Sequence, residues 1–102
     1  MYWHKFKEPD KRRPVVILTR NRIIPALANV TVASITTTIR PSPTQVLLTE
    51  EDGLHTDCAI NLDNINTIPK NKLESFITHL PHERMSEIRD AINFAFGFDA
   101  LD

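Results

Sequence analysis

Along residues 1–70, apolar and polar positions alternate in short runs with the period of β-strands. The clearest run is NVTVASITTTIR at 29–40, which is rich in β-branched residues. Its alternation separates one face from the other: Val30, Val32, Ser34 and Thr36 against Thr31, Ala33, Ile35 and Thr37. Further strands are predicted at the aromatic N-terminus (Tyr2, Trp3 and Phe6) and over 14–19, 45–49, 57–62 and 65–68.

Proline, glycine and acidic residues mark the turns between these strands. The segment PSPT at 41–44 must turn, because two prolines cannot both lie in a central strand. Asp52 and Gly53 predict the tip of a turn over 50–56, and Asp63 and Asn64 separate the last two strands. Turns are also predicted at 7–11 (KEPDK), at 20–29 with one helical turn, and at 69–73 with one turn of 3₁₀ helix.

The C-terminal segment changes to a helical period. Its apolar residues recur at spacings of three and four: Met85, Ile88, Ile92, Ala95 and Phe96. Pro81 suits the first helical position, which leaves Leu80 at the N-cap, and Gly97 suits the position after the last turn. The whole pattern predicts a mainly β (α+β) fold, with one domain over 1–102 that forms a small barrel of five to seven short strands and a C-terminal α-helix.

Composition indicates an ordinary soluble globular protein, with 41% hydrophobic and 25% charged residues. No apolar run approaches the roughly 20 residues that a membrane span needs, and the N-terminus lacks the apolar core of a signal peptide. The single cysteine, Cys58, lies in a predicted strand, which favours a small buried side chain over a reactive thiol. We therefore expect a cytoplasmic protein that does not bind a membrane.

Charge is distributed unevenly, although the net charge is only −1. Residues 1–40 carry eight basic and two acidic residues, a net +6, whereas residues 41–102 carry four basic and eleven acidic residues, a net −7. A basic first half is typical of a surface that faces a polyanion. Neutralisation of one half by the other within the fold is the alternative interpretation.

The sequence does not favour metal or cofactor chemistry. The four histidines, His4, His55, His79 and His82, have no cysteine or carboxylate at metal-ligand spacing. The chain contains only two glycines, so it has no glycine-rich phosphate loop. We expect no cofactor and no metal site.

Two arginines stand directly before a strand in RRPVVILTR at 12–20. Pro14 fixes its own φ and keeps Arg13 extended, so the guanidinium is held at the mouth of a rigid element. The segment ITTTIR at 35–40 adds hydroxyls that end in another cation. Three threonines in a strand are commonly only β-formers, but hydroxyls beside guanidiniums are also the donors that a phosphate requires. On the second interpretation, the candidates are Arg12, Arg13, Thr36, Thr37, Thr38 and Arg40.

The segment NLDNINTI at 61–68 contains the one acidic candidate, Asp63. Asp63 is either a turn residue that bonds its own backbone or a carboxylate that orients an arginine. The residues alone leave both interpretations open.

Four segments in this order resemble the MazF/PemK family of bacterial toxin endoribonucleases: KRRPVVIL, VTVASITTTIRPSPTQVLL, DCAINLDNINTIPKNKL and the closing THLPHERMSEIRDAINFAFGF. The last is similar to that family's final strand and helix. Together the four segments cover nearly the whole chain. The ordered set is specific, whereas each segment alone is weak.

The resemblance implies a small SH3-like barrel that acts as a homodimer and cuts single-stranded mRNA without a metal. It also implies a cognate, MazE-like antitoxin whose acidic, disordered tail lies across the RNA groove. It assigns catalysis to Arg13 with Thr36 as its partner, and implicates Asp63 as in some members. A basic residue found in one branch is replaced here by Asn61, the loop between the first two strands is shorter, and Pro41 follows TTTIR where the family commonly has glycine.

Metal-free cleavage of RNA uses the substrate's own 2′-OH as the nucleophile, which is why RNA and not DNA is cut. A fixed guanidinium suits stabilisation of phosphorane charge, but it is a poor base because it holds its protons so strongly. Asp63 and His4 are the candidates for the base. Two other functions remain open at this point: a toxin of similar fold that poisons DNA gyrase, and a degenerate member that only binds nucleic acid or antitoxin.

Overall fold

The computed structural model describes residues 1–6 and 12–100, so the turn predicted at 7–11 lies outside the described residues. The described chain forms one antiparallel sheet of five strands: β1 (Tyr2–Lys5), β2 (Arg12–Ile17), β3 (Asn29–Thr36), β4 (Gln45–Leu48) and β5 (Cys58–Pro69). Their order in the sheet is β1-β2-β3-β5-β4. The prediction of five to seven strands followed by a C-terminal helix is confirmed, with five strands in the described residues.

The sheet is open. Strands β1 and β4 form its two edges, and within the described ranges they do not pair with each other. The predicted barrel therefore describes this architecture only loosely.

The prediction of two short strands over 57–62 and 65–68 is wrong, because β5 is continuous from Cys58 to Pro69. The register with β3 jumps from the pair Ala33 and Ile65 to the pair Ser34 and Asn61. A bulge at 62–64 therefore absorbs the Asp-Asn dipeptide without ending the strand.

Strand β3 ends at Thr36 and not at 40 as predicted. The Thr36 hydroxyl accepts a hydrogen bond from the Thr38 backbone N–H at 3.0 Å, and this local bond replaces the sheet ladder. Residues 37–40 consequently leave the strand before the prolines at 41 and 43 are reached.

Short 3₁₀ helices occur at the predicted turns: Asn21–Ala26, Glu50–Asp52 and Lys70–Lys72, with a further one at Phe98–Ala100. The turn at 50–56 is closed by Gly53 in the left-handed region, with φ of 92°. The Thr49 and Asp52 side chains cap the Glu50–Asp52 turn reciprocally. The predicted tip at Asp52 and Gly53 is confirmed.

Helix α1 spans His82–Ala95. Pro81 has an extended ψ of 161° and is the N-cap, so the prediction that Leu80 caps the helix is wrong by one residue. Gly97 follows the helix with φ of 75°, as predicted. Within the described part of the chain, no helix has the length and apolar character needed to cross a membrane.

Apolar clusters lie on both faces of the sheet. The larger one packs α1, through Ile88 and Ala91, onto Ala33, Ile35 and other strand residues. The smaller one lies on the opposite face and consists of Val15, Val30, Val32 and Ile68. Each fully buried Val, Leu or Ile stabilises the fold by about 1.5–3 kcal/mol. The smaller cluster covers only one end of its face, and the other end is polar.

Candidate active-site cleft

The face of the sheet that carries the smaller cluster changes from apolar to polar along β3. Val30 and Val32 are buried in that cluster, and the next two residues on the same face are Ser34 and Thr36. The sequence analysis placed these four residues on one face of the strand, so it already contained the change from apolar to polar side chains along β3.

The neighbouring strands change in the same direction. In β2 the face runs from Ile17 and Val15 to Arg13, and in β5 it runs from Ile68 to Asn66. Val15 pairs with Ser34, and Ser34 pairs with Asn61, so the polar ends of three strands lie side by side. They form a cleft of about 220 Å³ lined by Phe6, Arg13, Ser34, Ile35, Thr36, Asn61, Asn64 and Asn66.

Arg13 is exposed on β2, opposite His4 of β1 in the sheet register. Pro14 follows it in the strand, as the sequence predicts. Among residues 1–6 and 12–100, no side chain forms an ion pair or hydrogen bond with its guanidinium. Within those ranges its donors are therefore unpaired, and a guanidinium can bond an anion through them.

Thr36 is the last residue of β3 and lines the same cleft. Because its oxygen accepts the Thr38 N–H, its rotamer is held while its own proton remains free to donate. The structure thus brings together Arg13 and Thr36, the two residues to which catalysis was assigned.

The remaining residues of ITTTIR lie outside this cleft. Thr37 lines a second cavity of about 400 Å³ at the end of β3, which Thr36 also borders and which contains Trp3 and His55. Thr38 and Arg40 are exposed, and Gln45 holds both by their backbones: its Nε2 donates to the Thr38 carbonyl, and its Oε1 accepts the Arg40 N–H. Their RNA-binding roles stay predictions.

Arg12 also lies outside the cleft. Its Nε donates to Glu74 Oε1 at 2.6 Å, and its guanidinium lies 4.5 Å from the centre of the Trp3 ring. About half of each side chain in this ion pair is exposed, at 47% for Arg12 and 42% for Glu74.

Asp63 lies in the bulge of β5 but does not line the cleft. Its Oδ2 accepts the Thr44 hydroxyl at 2.6 Å, and Thr44 is linked to the Ser42 hydroxyl at 2.8 Å. Within the described ranges Asp63 forms no hydrogen bond or ion pair with an arginine. Its bond with Thr44 instead ties the 41–44 turn to β5. The turn that bonds its own backbone is formed by Asn61, whose Oδ1 accepts the Asp63 N–H.

His4 is buried beside the cleft and does not border it. Its Nδ1 lies 3.3 Å from the Lys72 carbonyl oxygen, and its ring meets Phe6 edge to face at 4.7 Å. His4 therefore contacts a residue that lines the cleft, but it is not itself part of the lining. Neither of the two candidates for the base lines the cavity.

Sequence reasoning missed Ser34, Asn64 and Asn66 as members of the site, and treated Asn61 only as a departure from the family pattern. Ser34 was already assigned to the Thr36 face, and this signal could have placed it in the cleft. Asn61 and Asn64 depend on the bulge at 62–64, for which the alternation gives no signal, whereas Asn66 lies two residues from Ile68 on the same face and could have been placed by alternation.

Two further observations concern a possible metal site and the single cysteine. Within the described residues there is no group of three or more His, Cys, Asp or Glu side chains placed to hold a metal ion. Cys58 is buried in β5, and burial, with a smaller effect from Asp57 and Asp52, raises the pKa of its thiol, as expected for an inert structural cysteine.

The family model of PemK-like, MazF-like toxins of type II toxin–antitoxin systems matches residues 1–96. The chain belongs to this family. The prediction drawn from the ordered motifs is therefore confirmed.

Individual relatives agree with this assignment. Endoribonuclease MazF3 of Mycobacterium tuberculosis is 42% identical over 90 residues, which cover 88% of this chain and 87% of the relative. The solved Mycobacterium tuberculosis toxin MazF-mt6 superposes with a TM-score of 0.84 at 38% identity, covering 95% of this chain and 97% of the toxin. A mycobacterial endoribonuclease solved in complex with its cognate antitoxin superposes with a TM-score of 0.81 at 27% identity, covering 94% of this chain and 91% of the other.

Proposed function

We propose that this protein is a toxin endoribonuclease that cleaves single-stranded mRNA at selected sequences in the cytoplasm without a metal ion. One observation carries the proposal: the Arg13 guanidinium and the Thr36 hydroxyl border the same cleft. Family membership and the endoribonuclease names of the relatives support the same function.

In the proposed reaction the 2′-oxygen of one nucleotide attacks the adjacent phosphorus as its proton leaves. The bond from phosphorus to the 5′-oxygen of the next nucleotide breaks, and that oxygen takes up a proton. The products are a 2′,3′-cyclic phosphate and a 5′-OH. Arg13 stabilises the charge on the phosphorane oxygens, and Thr36 donates its hydroxyl to one of them.

The cleft supplies charge stabilisation more readily than proton abstraction. Arg13 is the only ionisable side chain among the described lining residues, and a guanidinium does not deprotonate at physiological pH. Placing a preorganised donor where phosphate charge develops contributes about 3–4 kcal/mol to catalysis.

The donor set also supports a reaction without a divalent metal. Mg²⁺ prefers carboxylate oxygens, and the described lining consists of hydroxyl, amide and guanidinium groups with two apolar side chains. A cation already fixed as Arg13 supplies positive charge at this position.

Two partners belong to the proposal. A second copy would cover some of the exposed aromatic side chains at the C-terminal end, which are Phe94, Phe96 and Phe98. An antitoxin with an acidic, disordered tail would bind basic residues of the first half of the chain, which carries a net charge of +6. The relative solved with its cognate antitoxin supports a partner of this kind.

The test is cleavage of single-stranded RNA in excess chelator, with the ends mapped and their phosphates identified. Cleavage that leaves a 2′,3′-cyclic phosphate supports the proposal, and RNA with 2′-deoxy substitution at the cut nucleotide should resist. Loss of cleavage in chelator, or cleavage of the deoxy substrate, would show that the mechanism is wrong. Inhibition of DNA gyrase without RNA cleavage would identify the alternative toxin function.

A further inference from the structure

The segment 37–40, which follows Thr36 at the end of β3, is exposed at every residue. Its last three residues, 38–40, belong to neither a helix nor a strand. Packing therefore contributes little to the position of this segment, and hydrogen bonds must hold it. Its position matters for the cleft, because the Thr38 backbone N–H donates to the Thr36 hydroxyl oxygen at 3.0 Å.

Gln45, the first residue of β4, bonds this segment with its side chain. Its Oε1 accepts the Arg40 N–H at 2.8 Å, and its Nε2 donates to the Thr38 carbonyl at 3.4 Å. An amide carries an acceptor and a donor at one end, so a single side chain can bond a backbone N–H and a backbone carbonyl together. In the described ranges, the side chains that bond the backbone of 38–40 are those of Thr36 and Gln45.

The backbone of Gln45 is itself well anchored. Its N–H donates to the Ser42 carbonyl at 3.1 Å, and it pairs with Asn61 of β5. The residue before it, Thr44, is buried, and its hydroxyl donates to the Asp63 Oδ2 at 2.6 Å. The Gln45 amide therefore reaches the exposed segment from a fixed position on the sheet.

The bond from Thr38 limits the directions in which the Thr36 hydroxyl can donate. A hydroxyl has one proton, and that proton cannot point toward an N–H that the same oxygen accepts. While the Thr38 N–H stays in place, the Thr36 proton is directed to the other sides of its oxygen, and Thr36 lines the cleft. If the segment moved, the Thr36 side chain could exchange among its staggered rotamers.

We propose that Gln45 is a positioning residue for the cleavage reaction: it holds residues 38–40, keeps the Thr38 N–H on the Thr36 oxygen and so directs the Thr36 proton into the cleft. Gln45 does not line the cleft and need not touch the RNA. The benefit arises in the transition state, where Thr36 donates to the developing phosphate charge. This inference rests on the proposed function.

The first experiment uses Gln45→Met, which keeps the length of the side chain and removes both hydrogen bonds. Single-turnover cleavage at saturating RNA should fall by roughly three- to tenfold, since a freed side chain is shared among about three rotamers and movement of the segment adds to the loss. Affinity for RNA with a 2′-O-methyl group at the cut nucleotide should stay within about twofold, because the oriented proton acts in the transition state.

Two further variants control this measurement. Gln45→Glu keeps an acceptor for the Arg40 N–H, which is the shorter of the two bonds, and should retain more of the rate than Gln45→Met. Leu47→Met places the same new side chain two residues further along the same face of β4, at an exposed position, and should cleave like the wild type.

The second experiment asks whether Gln45 acts through Thr36. In a Thr36→Val background there is no hydroxyl to direct, so Gln45→Met should cause no further loss of rate. In a Thr36→Ser background the side chain is not β-branched and depends more on the Thr38 bond, so Gln45→Met should cost at least as much as in the wild type. Equal fold losses in all three backgrounds, or an unchanged rate in Gln45→Met alone, would overturn the proposal.

Hydrogen exchange tests the same bond without cleavage. The Thr38 amide proton should exchange faster in Gln45→Met and in Thr36→Val than in the wild type, because each change removes a group that holds it. Unchanged Thr38 exchange in Gln45→Met would refute the positioning role. A wild type that cleaves no RNA would refute the proposed function and with it any role in catalysis, whereas a wild type that cleaves while Gln45→Met keeps its full rate would refute the positioning role alone.

Discussion

Arg12 and Arg13 are neighbours in β2, but their environments differ because side chains alternate across a strand. Arg12 is bonded to Glu74 and stacked on Trp3. Arg13 borders the polar cleft beside Thr36. A paired arginine contributes to the fold, whereas one aimed into a cleft with hydroxyls is available to a ligand.

A third arginine extends the comparison into the protein interior. The Arg84 Nε donates to both oxygens of Asp52, at 3.1 and 3.2 Å, and Asp52 is buried with 6% exposed. Arg84 also donates to Glu87. This pair joins α1 to the turn after β4, so its loss should change stability and leave the cleft intact.

The largest effect is expected for Arg13→Ala. Removing a preorganised donor from a developing phosphate charge costs about 3 kcal/mol or more, which is over a hundredfold in cleavage rate. Because Arg13 is exposed, the free energy of unfolding should change little. Arg13→Lys should also be strongly impaired, since an ammonium cannot bond two oxygens in a plane. Measured single-turnover rates and urea unfolding test both statements, and near-normal cleavage by folded Arg13→Ala would contradict the assignment.

A smaller loss is expected for Thr36→Val, which keeps the shape of the side chain and removes its hydroxyl. A hydrogen bond to a charged group contributes about 1.5–3 kcal/mol, so the cleavage rate should fall by roughly ten- to a hundredfold. Thr36→Ser restores the hydroxyl and should recover most of the rate. If both variants cleave alike, Thr36 acts only by packing.

The effects expected for Arg84 are the opposite of those expected for Arg13: stability should fall and cleavage should not. Arg84→Ala leaves the buried Asp52 without its cation and should lower the free energy of unfolding by about 2 kcal/mol, with cleavage per folded molecule unchanged. Urea unfolding at neutral pH measures the first quantity, and initial rates corrected for the folded fraction measure the second.

The ion pair of Arg84 and Asp52 makes the free energy of unfolding depend on pH. Burial raises the pKa of Asp52, but hydrogen bonds from the Thr49 N–H and Arg84, with the charge of Arg84, outweigh burial and hold that pKa below its usual value. A carboxyl with a lowered folded-state pKa stabilises the fold above its unfolded pKa of about 3.9, and this contribution is lost as pH falls through the folded value. Asp52→Asn should therefore be less stable than the wild type at pH 7, and the difference should shrink at pH 3.

Sequence patterns within single strands predicted the residues at the centre of the cleft. Pro14 placed Arg13 at the start of a strand, and the alternation in 29–40 put Ser34 and Thr36 on one face. The other wall depends on pairing between strands that are distant in sequence. The bulge at 62–64 arises from the register of β5 against β3, so neither the continuity of β5 nor the place of Asn61 beside Ser34 was predicted.

Long-range pairing also explains why Arg12 and Arg13 were both assigned to RNA. Glu74 lies 62 residues from Arg12, and nothing in RRPVVILTR indicates that the two meet. The predicted strand began at residue 14, so the two arginines were not assigned to faces; only the observed start of β2 at Arg12 places them on opposite sides of the sheet.

Arg12→Ala should give the smallest effect and is the sharpest control for Arg13→Ala, because the same charge is removed one residue away. Exposed ion pairs contribute about 0–1 kcal/mol, and stacking on an exposed ring adds about 0.5–1 kcal/mol, so the free energy of unfolding should fall by roughly 1 kcal/mol or less. The cleavage rate at saturating RNA should stay within about threefold of the wild type, since Arg12 does not line the cleft. Weakened RNA affinity at low salt that disappears at high salt would show only a general electrostatic contribution. A rate loss that matches Arg13→Ala, and that persists at saturating RNA, would mean that the pairing with Glu74 breaks when RNA binds and that the two arginines act together.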